Sequence, residues 1–360
     1  MGEAAPTKYG IGKYNPKQYQ GTYGDYCGRK TLLKTFKFRL FALDSFSHFG
    51  DFLEEIKFNQ SAEQKPVQPN EVKIRVFSAS LNPIDYKIRL YASMILSTTA
   101  SPENPYRVGH DLSGKVVEVG SDVKEYQVGD EVFTMPWFDA TGTFAEYFNV
   151  DTKRVAHKPS NMTFNEAAGV PLAGQTNWQA LVTYGKLQKG QRVLILGGSS
   201  GTGLFAIQIA KALGAEVVAT CSHRNVALVK SLGADQVIDY TSTKWSEVVA
   251  EHSVNLIYDC GVESQSWNDE AQKVLKEKTG IFVTIGVIDK PIESPISATQ
   301  SQIFNAPCTE YLLELKKLIE AGQVKTVIDS VHQLKNLVEA MKICMSHRAK
   351  GKIIIEVAKE

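Results

Sequence analysis

The chain has 360 residues, enough for two domains with full cores. A formal net charge of +1 implies neither nucleic acid nor an anionic membrane surface as a partner. Five scattered cysteines (Cys27, Cys221, Cys260, Cys308 and Cys344) form no C-x-x-C pair, which argues against a disulfide framework or a structural zinc lobe and fits a reducing compartment. A cytoplasmic location is expected, with a mitochondrial one left open.

Residues 1–34 carry five tyrosines, several glycines and little apolar periodicity, and read as a partly ordered extension. Met1-Gly2 opens like a myristoylation signal, but Pro6 stands where Ser or Thr is required. The stretch has no serine, unlike a mitochondrial presequence. Thr35–Phe58 reads as short strands or turns. Glu71–Ser80 alternates Val72, Ile74 and Val76 with Lys73 and Arg75, the pattern of a half-buried strand. It ends at Leu81-Asn82-Pro83, where the proline drives Asn82 out of helical space, and a short helix is expected over Asp85–Arg89. Gly109–Val119 and Asp130–Met135 read as further strands, joined by glycine turns. Many short strands with such turns point to a compact β-barrel-like first domain over residues 35–160.

From Gln191 the pattern becomes alternating strand and helix. The apolar run Val193–Leu196 breaks at the turn Gly197–Gly203; a helical period (Leu204, Ile207, Ile209, Ala210, Leu213) and a second strand, Val217–Thr220, follow. Strand, glycine turn, helix and strand form the dinucleotide-binding unit. The glycines let backbone approach a pyrophosphate, and the helix N-terminus offers it N–H groups. Its binding residues are Gly198, Ser199, Ser200, Gly201, Thr202 and Gly203, with Ser200 standing where a second glycine is expected. A P-loop is excluded because no Lys-Ser/Thr follows the last glycine. The uncharged run Val193–Ala210 is long enough to cross a bilayer, but its central glycines and polar residues favour the turn, and no membrane span is expected.

About 20 residues past the glycines, an NAD site usually places an acid for the ribose 2′-hydroxyl. Here the sequence reads Cys221-Ser222-His223-Arg224-Asn225, and no acid occurs between Val217 and Ala234. The Ser222 hydroxyl and the Arg224 guanidinium suit a 2′-phosphate, which points to NADPH; the bland alternative is a polar helix cap with a solvated arginine. Tyr240 completes the cofactor candidates. With Lys244 it also mimics the Tyr/Lys pair of short-chain dehydrogenases. In that family, however, the glycine turn opens the chain, whereas here a whole domain precedes it. Asn255–Cys260 and Gly280–Gly286 continue a doubly wound parallel sheet, giving a cofactor domain over 161–305. Helices near Cys308–Ala321 and Leu334–His347 and a strand, Lys352–Val357, fill 306–360.

Several segments together resemble the medium-chain dehydrogenase/reductase superfamily. Residues Ser78 to Arg89 (SASLNPIDYKIR), Gly109 to Val116 (GHDLSGKV), Val128 to Phe133 (VGDEVF), Gly142 to Tyr147 (GTFAEY), Pro171 to Leu181 (PLAGQTNWQAL) and Lys350 to Ile354 (KGKII) match its motifs in order. The resemblance is closest to the zinc-free quinone oxidoreductase branch, and within it to the reticulon-interacting oxidoreductase subgroup, whose turn is followed by a similar Phe-Ala-Ile-Gln. It implies an α/β protein: a GroES-like catalytic domain plus a Rossmann domain, with the last helix and strand returning to the former and cofactor in the cleft between. Related enzymes are often dimers.

In zinc-dependent members the position of Asn82 is a cysteine ligand, His110 would be the second ligand, and a third, a cysteine before the Gly-Gln-Thr segment, is absent here. One histidine cannot hold a catalytic zinc, so no metal is expected and His110 reads as a loop or core residue. Lacking that ligand set, hydride addition to a quinone or an α,β-unsaturated carbonyl is the easier chemistry, because conjugation spreads the developing charge onto an oxygen. The resemblance implies Asn82 as the residue orienting the nicotinamide side of the pocket and Thr176 as a cofactor contact. Tyr86, Lys87 and Tyr91 are donor candidates near the substrate, each with a bland reading as a solvated helix residue. The alternative function is an NADPH-binding sensor or scaffold with little turnover.

Overall fold

The computed structural model describes residues 37–43, 52–88, 101, 105–138 and 142–359; the extension read over 1–34 and the candidate Tyr91 lie outside them. Strand Glu71–Leu81 organises the first sheet. In its first half Val72, Ile74 and Val76 are fully buried while Arg75 is exposed, as the alternation requires. Its second half, Phe77 to Leu81, is buried on both faces. There it is central, paired antiparallel with Asp111–Val119 on one side and with Lys352–Glu356 on the other. Glu131–Thr134 and Val155–His157 extend the sheet beyond Asp111–Val119, and Ile328–Gln333 extends it beyond the closing strand. Tyr147–Asp151 pairs with the first half of Glu71–Leu81. The Thr35–Phe58 region holds strand Lys37–Leu43, which pairs with Ile56–Glu63 and Tyr106–Arg107 in a separate small sheet.

The second sheet has six parallel strands in the order Gln236–Asp239, Glu216–Cys221, Arg192–Leu196, Leu256–Asp259, Ile281–Thr284, Thr299–Gln302. Its first strand in the chain is central, and the order reverses beside it, which defines the switch point where ligands of such sheets bind. Helices cover both faces, so alternate residues of one strand feed two cores: Val193 and Ile195 pack with Phe205 and Ile209, whereas Leu194 and Leu196 pack with Ile257, Trp267 and Val274.

Two of the expected helices differ in their bounds, and a third helix is not foreseen by periodicity. The one expected over Asp85–Arg89 is helical from 83 to 88, since proline at a first helical position loses no hydrogen bond. The PLAGQTNWQAL segment, given no element above, forms helix Pro171–Trp178 and runs on as a π-turn, Gln179–Tyr184. The helix expected over Leu334–His347 opens with a 3-10 turn, Leu334–Asn336, and is α-helical only over Leu337–Met345. Helix Thr309–Glu320 lies close against Pro171–Trp178; a Cβ on Gly174 would come 2.8 Å from Leu315 Cδ1.

Candidate functional site

The dinucleotide turn is built almost wholly from backbone. Gly197 has φ +82°, a conformation that side chains rarely adopt. Its N–H donates to Thr220 Oγ1 at 3.0 Å, and Gly198 N donates to Thr220 O at 2.8 Å, so the turn hangs on the neighbouring strand. A Cβ on Gly203 would fall 2.2 Å from Gly197 O, so glycine is needed for the helix to sit this close. Ser200 does what a glycine could not. It is the N-cap of helix Gly201–Ala212, with φ −71° and ψ 161°, and its Oγ accepts from Gly203 N at 2.9 Å. The serine thus costs no strain and satisfies one first-turn N–H itself. Gly201 and Thr202 keep N–H groups with no intrahelical acceptor, the ones that can face an anion.

At the end of strand Glu216–Cys221, Ser222 is half-buried and Arg224 is exposed. Asn225, which sequence reasoning passed over, is buried, and its Nδ2 donates to Ser199 Oγ at 3.0 Å and Ser222 Oγ at 3.4 Å. It ties the glycine turn to the second strand's end. An acid does approach, but from the next strand. Asp239 Oδ1 accepts from Thr241 N and Oγ1, and Oδ2 lies 3.4 Å from His223 Nδ1. The Thr241 hydroxyl and amide, with His223 beside them, hold this carboxyl below the usual range although burial opposes it. Asp259, also missed, is fully buried and accepts from Val262 N, Glu263 N and the Thr284 hydroxyl, fixing the loop beside Gly197. Tyr240 is 55% exposed at the same end of the sheet, and Lys244 lies 3.8 Å from Glu270 rather than with it.

The second polar centre is made of side chains. Asn82 is 3% exposed; its Nδ2 donates to Asp111 Oδ2 at 2.8 Å and Ser80 O at 3.3 Å, and its Oδ1 accepts from Lys352 Nζ at 2.5 Å. Burial pushes the Asp111 carboxyl up, against the pull of Lys352 and the donors Asn82 and Leu172 N. Asp85 caps the Asn82 turn, with Oδ2 accepting from Asn82 N at 2.7 Å, and its Oδ1 lies 2.5 Å from His110 Nδ1. His110 is fully buried, as a core histidine should be. Tyr86 packs with Leu337, Ala340 and Met341 instead of facing solvent, and burial pushes its hydroxyl up to about 12. Lys87 is half-buried, 5.9 Å from the Tyr86 ring centre.

One helix joins the two centres. Leu172 N, at its start, donates to Asp111 Oδ1 at 2.7 Å, and Asn177 Nδ2, near its end, donates to Thr202 O at 2.9 Å. Between them Thr176 gives its proton to Leu172 O and accepts from Asn305 Nδ2 at 2.9 Å, so its hydroxyl can offer a cofactor only a remaining lone pair. Sequence patterns did not single out Asn305, and Lys352 stood only as part of the KGKII segment, with no role; neither lies near its partners in the chain.

A dinucleotide turn on a parallel sheet, joined by a helix to a buried polar cluster on a second sheet, defines a two-domain dehydrogenase or reductase. Comparison with known proteins gives the family. Residues 68–160 match the alcohol dehydrogenase GroES-like domain, and residues 232–355 match the family described as zinc-binding dehydrogenase. "NAD(P)H oxidoreductase RTN4IP1, mitochondrial" of Danio rerio is 34% identical over 81% of this chain and 85% of its own length. The "2-methylene-furan-3-one reductase" of Solanum lycopersicum is 33% identical over 86% of this chain and 78% of its own. The quinone oxidoreductase structure from Coxiella burnetii superposes with a TM-score of 0.75 at 27% identity, covering 90% of this chain and all of that one. The chain belongs to the medium-chain dehydrogenase/reductase superfamily, and is an oxidoreductase with that superfamily's GroES-like and Rossmann architecture.

The zinc of the second family's description does not fit these residues. An amide takes the place of a thiolate, an ammonium sits 2.5 Å from that amide's oxygen, and His110 Nδ1 is engaged by Asp85. Among the described residues no three His, Cys, Asp or Glu side chains come together as ligands, and no helix is long and apolar enough to cross a membrane.

Proposed function

We propose that this oxidoreductase uses NADPH to reduce quinones or α,β-unsaturated carbonyls in the cleft between its two sheets. The observation that carries the reading is helix Pro171–Trp178, whose hydrogen bonds to Thr202 O and Asp111 hold the dinucleotide turn and the Asn82 cluster in one frame. Relatives support the substrate class: besides the furanone reductase, an "NADPH-dependent alkenal/one oxidoreductase, chloroplastic" of Arabidopsis thaliana is 31% identical over 86% of this chain.

NADPH, when bound, supplies a hydride. The protein's own part begins with Gly198 to Gly203, which would carry the pyrophosphate on the Gly201 and Thr202 N–H groups. Ser222 and Arg224 would take the 2′-phosphate, the first set in place by Asn225 and the second free at the surface to form a charge-assisted pair. Tyr240 would flank the same end of the sheet. Asn82 would orient the reacting groups, because its amide is held rigid inside the cluster. Tyr86 Oη, buried without a hydrogen-bond partner among the described residues, would be the donor for the final protonation, with Lys87 beside it.

A binding protein with little turnover is the second reading. Ser200 favours it, since its cap consumes the Gly203 N–H that a phosphate would otherwise receive. Steady-state oxidation of NADPH and NADH with a panel of quinones, alkenals and simple alcohols separates the two. Turnover of quinones or enones, with NADPH preferred, is expected. NADPH binding without turnover of any acceptor would leave the second reading standing, and NADP-linked alcohol oxidation alone would overturn both.

A further inference from the structure

We propose that Lys352 is a positioning residue that fixes the Asn82 amide in a single orientation; this rests on the reductase reading above. Lys352 opens the closing strand and is 4% exposed, in a residue type almost never buried unless paired. Its Nζ donates to Asn82 Oδ1 at 2.5 Å and lies 3.4 Å from Asp111 Oδ2, which accepts from Asn82 Nδ2 at 2.8 Å. The three groups close a ring. A flipped Asn82 amide would set its NH2 against the ammonium and its oxygen against the carboxylate, so only one orientation is allowed. Nδ2 is fully used, by Asp111 and Ser80 O, leaving a lone pair of Oδ1 as what this amide can offer a ligand.

The lysine stem runs between the two binding centres. A Cβ on Gly169 would lie 3.4 Å from Lys352 Cγ, and one on Gly201, the first residue of the dinucleotide helix, 3.5 Å from Lys352 Cδ. Gly351, at φ +121°, directs this path, and a Cβ there would strike Val327 O at 2.3 Å. Stability alone does not explain the arrangement, because apolar residues of similar volume commonly replace a buried ion pair without loss. Asp85 is paired with His110, and burial pushes the nearby Cys344 thiol up to about 12. Neither competes for the ammonium.

The test is the double variant Lys352→Met with Asp111→Asn, which removes both charges together and so leaves no lone buried ion. Its Asn82 amide is free to flip. It should melt close to wild type and bind NADPH within about threefold of the wild-type Kd, since the phosphate contacts lie elsewhere. Its kcat with the best enone or quinone should fall at least about tenfold. Wild-type kcat in a folded double variant would overturn the proposal; so would a parallel loss of kcat, NADPH affinity and Tm, the mark of a purely structural residue.

A second arm needs no variant to fold and no turnover. In wild-type protein labelled with [15N]asparagine, the Asn82 side-chain amide protons should be protected from exchange and should shift when NADP+ is added. Exchange at the solvent rate, or no shift at saturation, would refute the role. If the wild type reduces no acceptor, the reductase reading fails while this arm still judges Lys352.

Discussion

The two polar centres of this protein are built by opposite means. The dinucleotide turn and most of its support lie within residues 197–225, and the donors of the turn itself are peptide N–H groups, positioned by glycines and by a neighbouring strand. The Asn82 cluster draws on Asp85, His110, Asp111, Leu172 and Lys352, and almost every bond in it involves a side chain. A backbone-made site tolerates exchange where the new residue supplies an equivalent bond, as Ser200 does. A ring of buried charges has no such latitude, because removing one member leaves the others uncompensated.

The sharpest way to break this contrast is Asn82→Ala. Losing the orienting amide should lower kcat/KM by roughly 5- to 150-fold, a loss of about 1–3 kcal/mol. Because the truncation also strips a partner from both Lys352 and Asp111, Tm should fall as well, and an unchanged melting curve would show that the cluster is not a structural unit. Arg224→Ala comes next. Being exposed, it should leave Tm alone while eroding the preference for NADPH over NADH about 10- to 100-fold, read from the two dissociation constants. Equal wild-type constants for the two cofactors would remove Arg224 from the site. The smallest effect belongs to Ser200→Ala, which deletes the cap and should cost about 1 kcal/mol, a drop in Tm of about 2–4 °C by calorimetry.

The same contrast explains what the sequence made legible. The Rossmann unit announced itself because periodicity and glycine spacing are local. Asn225 sits beside Ser222 and Arg224 in the chain, yet nothing in its neighbourhood signalled that it bridges Ser199 and Ser222. Asp259 looked like the end of an apolar strand, and only the fold shows it gathering Val262, Glu263 and Thr284. Asn82 stood out through its motif, but two of the partners that hold it, Asp111 and Lys352, come from strands far away in the chain. The π-turn at Gln179–Tyr184 has no sequence mark at all; within it Gln179 Nε2 donates to Asn305 Oδ1 at 2.8 Å.

The closing strand has a consequence for synthesis. Asn82 waits for Lys352 across 270 positions of chain. At about 5–20 residues per second, a ribosome takes on the order of 15–55 s to cover that interval. Meanwhile the Rossmann sheet, whose last strand ends at Gln302, can complete itself, while the upper half of strand Glu71–Leu81 shows an unpaired edge. Birth order and closure therefore run opposite ways: of the two main sheets, the one begun first in the chain is the last to close.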